Sequence, residues 1–153
     1  MEEKIAILIL AAGASERFGK PKQLLIYKEH SLISKAVRTA LKAKIGPCIV
    51  ITGSHNKEVE HDLKVYEDKI RLYNNTKWEE GMGSSLRNGI KFINNNIPDV
   101  YGVIILLCDQ PLINSNFLIE IVRSHFSSRK KIIASGYGGS WGAPVFFHHT
   151  LFG

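Results

Sequence analysis

Leu8-Ile-Leu-Ala-Ala-Gly-Ala-Ser-Glu-Arg-Phe-Gly-Lys-Pro-Lys-Gln-Leu-Leu25 is the stretch whose reading decides the fold. It opens with the end of a continuous apolar run, Ile5 to Leu10, the pattern of a strand buried on both faces. Leu10 closes that run, and Ala11, Ala12 and Gly13 then leave the strand end without bulk, so that backbone can approach a ligand closely. The loop that follows carries Arg17, Lys20 and Lys22. Three cations and several backbone N–H groups in so short a span suit a polyphosphate, with Arg17 and Lys22 as the phosphate contacts and Lys20 directed to solvent.

Two familiar phosphate loops are excluded by spacing. A Walker loop needs four residues between its glycines and then Lys-Ser/Thr, but five residues lie between Gly13 and Gly19, and Lys20 precedes Pro21. The dinucleotide fingerprint needs three glycines, whereas Ala11 and Ala14 surround a single Gly13 here.

Leu10 to Leu25 resembles the signature of the MobA-like nucleotidyltransferases, L-A-A/G-G-x-S/G-x-R-M/F-G-x-x-K. The second alanine at position 12 and the Gln23-Leu24-Leu25 tail are similar to the molybdenum cofactor cytidylyltransferase branch; the guanylyltransferase branch more often has a second glycine there. The resemblance implies a three-layer, Rossmann-like α/β fold with a mainly parallel sheet. It also implies transfer of a nucleoside monophosphate, CMP from CTP in that branch, to the phosphate of molybdopterin with release of pyrophosphate. Guanylyl transfer, transfer to sugar or alcohol phosphates, and a catalytically silent nucleotide-binding accessory protein remain alternatives.

Composition is compatible with one soluble domain: 153 residues, 44% hydrophobic and 22% charged. The net charge of +6 is spread without a block of five cations, which argues against a nucleic-acid partner. No apolar run approaches the roughly 20 residues of a membrane span, and no secretory n-region precedes Ile5. Cys48 and Cys108 lie in or beside apolar runs without a C-x-x-C partner, as expected of reduced thiols in a cytoplasmic protein.

Along the chain, helices are expected at Ser31 to Lys44, Lys57 to Val65, from Ser84 or Ser85 onward, and at Asn116 to Ser128. Strands are expected at Cys48 to Thr52, Ile70 to Tyr73, Val103 to Leu107, Lys131 to Ser135 and Ala143 to Phe147. This alternation predicts a parallel, helix-covered sheet. Gly136 to Gly142 reads as a loop too glycine-rich to be regular, and His148 and His149, adjacent on a strand, point to opposite faces and are not metal ligands.

Two further motifs carry chemistry. Gly81-Met-Gly-Ser-Ser-Leu86 provides flexible backbone at Gly81 and Gly83, with Ser84 or Ser85 as the cap of a helix. It resembles the family's G-M-x-x-S-L loop, which implies contact with base and ribose. Cys108-Asp109-Gln110-Pro111 places a carboxylate where the most apolar strand ends. The segment resembles the family's G/C-D-x-P motif, whose aspartate holds Mg²⁺ (or Mn²⁺), which implies that role for Asp109. Gly142 and Pro144 match a further family strand motif.

The chain is therefore expected to be a single nucleotidyltransferase domain over residues 1–153. Residues 1–110 would form the nucleotide-binding half and residues 111–153 an incomplete acceptor-binding half. The family pattern continues through an acidic segment and a closing helix, so a second metal ligand is expected beyond residue 153. The resemblance also implies hand-over of the product to a xanthine dehydrogenase-type molybdenum hydroxylase or its chaperone.

Overall fold

The apolar run near the N-terminus forms β1 (Lys4–Ala11), buried from Ile5 through Ala11. The computed structural model describes residues 3–153. After β1 come two small hairpins, β2 (Glu16–Arg17) with β3 (Lys20–Pro21) and β4 (Ile26–Tyr27) with β5 (His30–Ser31). Then follow α1 (Leu32–Ala43), β6 (Cys48–Thr52), α2 (Asn56–Asp62), β7 (Arg71–Asn74) and α3 (Met82–Asn96). The chain continues with β8 (Val100–Leu107), α4 (Ser115–Ser128), β9 (Ile132–Tyr137) and β10 (Ser140–His148). One six-stranded sheet runs in the order β7-β6-β1-β8-β10-β9. The first four strands are mutually parallel, and β10 is antiparallel to both its neighbours.

Strand parity sorts the core into two layers. Ile5, Ile7 and Ile9 of β1 join Val50, Ile104 and Leu106 in packing against α1 (Ile33, Val37, Ala40) and α4 (Leu118, Ile121). Ala6, Leu8 and Leu10 join Ile49, Ile51, Val103 and Ile105 against α3 (Ile93) on the other face. Each fully buried Ile or Leu contributes on the order of 1.5–3 kcal/mol, so this two-sided burial fixes β1 at the centre of the sheet. Among the described residues no helix is long and apolar enough to cross a membrane.

Most element expectations agree with the structure within a few residues. Ser31 caps α1 by accepting from the Ser34 N–H at 3.0 Å, and Asn114 caps α4 from Phe117 at 2.9 Å. The charged helix is shorter than expected, ending at Asp62 before a 3₁₀ turn at Lys64–Tyr66.

Three expectations need correction. Gly136 to Gly142 is the close of the β9–β10 hairpin rather than an irregular loop. Gly138 and Gly139 take φ of +53° and +99°, the positive pair that a tight two-residue turn needs, while Trp141 pairs with Gly136 across the ladder. Gly81, not Ser84 or Ser85, caps α3, adopting φ +100° before the first helical residue, Met82. Finally, the rings of His148 and His149 lie 4.4 Å apart instead of on opposite faces, because β10 stops at His148 and His149 opens a 3₁₀ turn. Among the described residues no group of three His, Cys, Asp or Glu side chains is arranged to hold a metal.

Gly46, at the turn into β6, has no room for a side chain: a Cβ there would stand 2.0 Å from the Ile5 carbonyl oxygen. Gly46→Ala is expected to cost about 1–3 kcal/mol of stability by forcing the backbone of β1 aside. Urea unfolding checks this, and a loss under about 0.5 kcal/mol, the usual surface range, would contradict the packing described.

Candidate active site

β1 and β8 are neighbours, with Leu10 beside Leu107, yet the chain leaves them in different directions. From β1 it runs through the small hairpins and α1 to β6; from β8 it runs through α4 to the antiparallel pair. A crevice at the carboxyl ends of parallel strands results wherever such a sheet changes direction. Here it is a cavity of about 390 Å³. Its walls are the segment Leu10 to Ser15, Lys22 and Gln23, Trp78, Glu79, Gly81, Met82 and Ser85, and the strand end Leu107 to Asp109.

Lys22 and Asp109 meet in this cavity although 87 residues separate them, with Nζ 2.7 Å from Oδ2. Their side chains are 32% and 36% exposed, and a pair so accessible to water contributes no more than about 1 kcal/mol to folding. The pair is thus poorly explained as a stabilising device and well placed to exchange partners with a charged ligand. Beside it, burial and then the negative charge of Asp109 push the Cys108 thiol up to about 12, so the cysteine is a neutral wall and not a nucleophile.

Of the residues singled out from sequence, Leu10, Ala11, Ala12, Gly13, Lys22, Gly81, Ser85 and Asp109 come together around the cavity. Arg17, Gly83 and Ser84 do not line it. Arg17 sits exposed on β2, pairing with Lys20 across a hairpin whose tip residue, Phe18, is 98% exposed. Lys20 is exposed, as expected.

Ser84 is buried in a polar network centred on Asn75, a residue that no sequence motif marks. Asn75 donates from Nδ2 to Ser84 Oγ (3.1 Å) and Ser85 Oγ (3.0 Å). Its Oδ1 accepts from the Lys77 N–H (3.0 Å) and Asn88 Nδ2 (3.1 Å), and Ser84 Oγ donates to the Lys77 carbonyl at 3.1 Å. The hydroxyls expected at a helix cap thus fix the loop carrying Trp78 to Gly81 against α3. A polar residue directly after a strand was the available signal.

Gln23 was also missed as a site residue. It is 3% exposed and donates from Nε2 to the carbonyls of Ala11 (3.0 Å) and Gly13 (2.7 Å), while its Oε1 is buried without a partner. The two bonds contribute roughly 1–3 kcal/mol together, and a buried orphan acceptor costs about the same, so the residue adds little net stability. Gln110, next to Asp109, donates to the Ala143 carbonyl at 2.9 Å, where Tyr137 OH also donates. This ties the Asp109 loop to the β9–β10 hairpin.

A family model described as MobA-like NTP transferase domain matches residues 7–153. The chain belongs to this family. Among curated relatives of this MobA-like domain, the purine catabolism protein PucB of Bacillus subtilis (strain 168) is 25% identical over 95% of this chain and 71% of its own length. A nicotine blue oxidoreductase of Paenarthrobacter nicotinovorans is 29% identical over 80% of this chain and 57% of its own. A probable molybdenum cofactor guanylyltransferase of Bacillus mycoides (strain KBAB4) is 30% identical over 75% and 54% respectively. The chain thus spans between about half and three quarters of these relatives. The crystal structure of Rv0371c from Mycobacterium tuberculosis H37Rv superposes with a TM-score of 0.83 at 27% identity, covering 98% of this chain and 74% of that one. Rv0371c in complex with manganese gives a TM-score of 0.78 at 23% identity, with 99% and 74% covered. Such different names on one MobA-like fold mean that activity has to be argued from the site itself.

Gly13 is not required by the MobA-like fold: its φ is ordinary and a Cβ there would meet nothing within 4 Å. Its missing side chain matters only to what enters the cavity. Gly13→Val is expected to change stability by less than about 0.5 kcal/mol while sharply weakening nucleoside triphosphate binding. Unfolding and titration calorimetry on the same preparation check this; unchanged binding would remove Gly13 from the site.

Proposed function

We propose that this domain binds a nucleoside triphosphate in the β1–β8 crevice and transfers its nucleoside monophosphate to a phosphate on an acceptor, releasing pyrophosphate. The observation that carries the reading is the half-exposed Lys22–Asp109 pair at the mouth of a cavity floored by side-chain-poor backbone. In the reaction an acceptor phosphate oxygen attacks the α-phosphorus, and the bond from that phosphorus to the bridging oxygen of the β-phosphate breaks. The protein's part is to position and to neutralise charge. Lys22 moves from Asp109 to the triphosphate, the Ala11–Gly13 backbone and the Gly81–Ser85 segment hold ribose and base, and Arg17, exposed on β2 outside the cavity walls, is the second proposed phosphate contact.

The residues present fit a divalent cation. Mg²⁺ typically takes one or two carboxylates and completes its shell with phosphate oxygens and water, so the lone Asp109 suffices in the absence of a three-residue cluster among the described residues. Mg²⁺ or Mn²⁺ on Asp109 would supply charge neutralisation at the triphosphate. That Rv0371c was crystallised with manganese supports the choice.

CTP is the favoured donor on Ala12 and the Gln23-Leu24-Leu25 tail, and molybdopterin the favoured acceptor on the name of the molybdenum cofactor guanylyltransferase relative. That same name supports GTP as the second reading. Trp141, 78% exposed on the hairpin tied to the Asp109 loop, offers a flat surface to a ring-bearing acceptor. A xanthine dehydrogenase-type hydroxylase or its chaperone is the proposed recipient, in the cytoplasm. Thermal shifts with CTP, GTP, ATP and UTP plus Mg²⁺ should rank CTP first, and pyrophosphate should appear only when molybdopterin is added. No shift with any nucleotide would refute the proposal.

Two substitutions should fail differently in calorimetry. Lys22→Ala is expected to weaken triphosphate binding with or without Mg²⁺, by the roughly 1.5–3 kcal/mol of a charge-assisted phosphate bond. Asp109→Ala should abolish the Mg²⁺-dependent part, while metal-free binding holds or improves because Lys22 loses its competing partner. Equal losses with and without Mg²⁺ for Asp109→Ala would exclude it as the metal ligand.

A further inference from the structure

We propose that Gln23 is a positioning residue that sets the shape of the nucleotide cradle, an inference that rests on the nucleotide reading of the site. Both Nε2 protons are spent on the Ala11 and Gly13 carbonyls, at 3.0 and 2.7 Å, and the amide cannot be turned over because both partners are acceptors. The unpartnered, buried Oε1 is therefore a property of the arrangement. With hydrogen-bond gain and orphan cost in balance, the clamp is explained by what it holds.

It holds two walls at once. Gly13, Ala14 and Ser15 are exposed and no neighbour stands where a Gly13 side chain would be, so beyond the buried Ala12, whose carbonyl accepts from the Ser54 N–H at 3.2 Å, side-chain packing does not restrain the turn. The Gln23 amide crosses beneath it and bridges its two carbonyls. Gln23 also sits in the 3₁₀ turn Lys22–Leu24, which is pinned to the same loop by the Lys22 N–H to Ser15 carbonyl bond at 2.9 Å. The residue that shapes the backbone at Ala11–Gly13 thus also anchors the stem of Lys22 opposite Asp109. A side chain of similar size but without donors would fill the space and let both walls drift.

Gln23→Met keeps the bulk, removes the donors and removes the orphan acceptor; Gln23→Glu keeps the shape and leaves at most one donor, the proton of a neutral carboxyl. In the ligand-free chain, ¹⁵N relaxation is expected to show order parameters at Gly13 and Ala14 falling from about 0.85 to below about 0.6 in both variants. The melting temperature of Gln23→Met should stay within about 2 °C of the parent. CTP affinity in the presence of Mg²⁺ should fall at least about tenfold for Gln23→Met, and pyrophosphate release should show a raised KM with a smaller change in kcat. A Gln23→Met variant that melts much lower while Gly13 and Ala14 stay rigid would make Gln23 an ordinary core residue and overturn the proposal. If the parent chain binds no nucleoside triphosphate, the reading of the site fails, and the relaxation data still decide the clamp.

Discussion

Two-sided burial of β1 is the constraint from which the rest follows. Seven consecutive buried residues, Ile5 to Ala11, leave that strand no solvent face, so helices must cover both sides and neighbouring strands must occupy both edges. A chain that satisfies this by parallel crossovers has to step to one side of β1 for β6 and β7 and to the other for β8. The loops after β1 and β8 then part company, and the space between them is the crevice where Lys22 and Asp109 face each other. The site is a geometric consequence of how the core is buried, and its polar residues occupy a gap that the topology opens.

Around that gap, rigidity comes from polar clamps more than from packing. Asn75 orders the Trp78–Ser85 wall, Gln110 fastens the Asp109 loop to the last hairpin, and Gln23 bridges the turn after β1. Gly53 completes the arrangement by closeness: a Cβ there would lie 2.6 Å from that of Trp78 and 2.8 Å from that of Ala12, so the two walls meet over its bare backbone. These amides hold the rim of the cavity in which the Lys22 and Asp109 side chains meet.

How much of this was legible in the sequence depends on the range over which each feature is determined. β1, β6 and β8 were readable because an unbroken apolar run is a local signal of double-sided burial; the motifs put Lys22 in the loop after β1 and Asp109 at the end of β8, and the structure brings the two together in one crevice. The β9–β10 hairpin was not, because seven residues containing four glycines suggest an irregular loop unless one sees that Gly138 and Gly139 alone form the turn while Trp141 covers Gly136. The cap of α3 was misassigned to serines because hydroxyls suit that role chemically; here Asn75, nine residues before Ser84, claims them instead. Arg17 lies outside the cavity walls because Phe18 and Gly19, with φ of +52° and +75°, turn its strand into a hairpin. Gln23 was hidden because its partners are backbone carbonyls, which carry no residue identity.

The central claim is that Asp109 exchanges Lys22 for a divalent cation when a nucleoside triphosphate enters the crevice. A crystal structure with CTP and Mn²⁺, read from the manganese anomalous signal, tests it most directly. The account requires a peak within about 2.0–2.6 Å of an Asp109 carboxylate oxygen, with the Lys22 ammonium moved onto a phosphate oxygen. Nucleotide bound in the crevice with Lys22 still on Asp109 and the manganese elsewhere would contradict it.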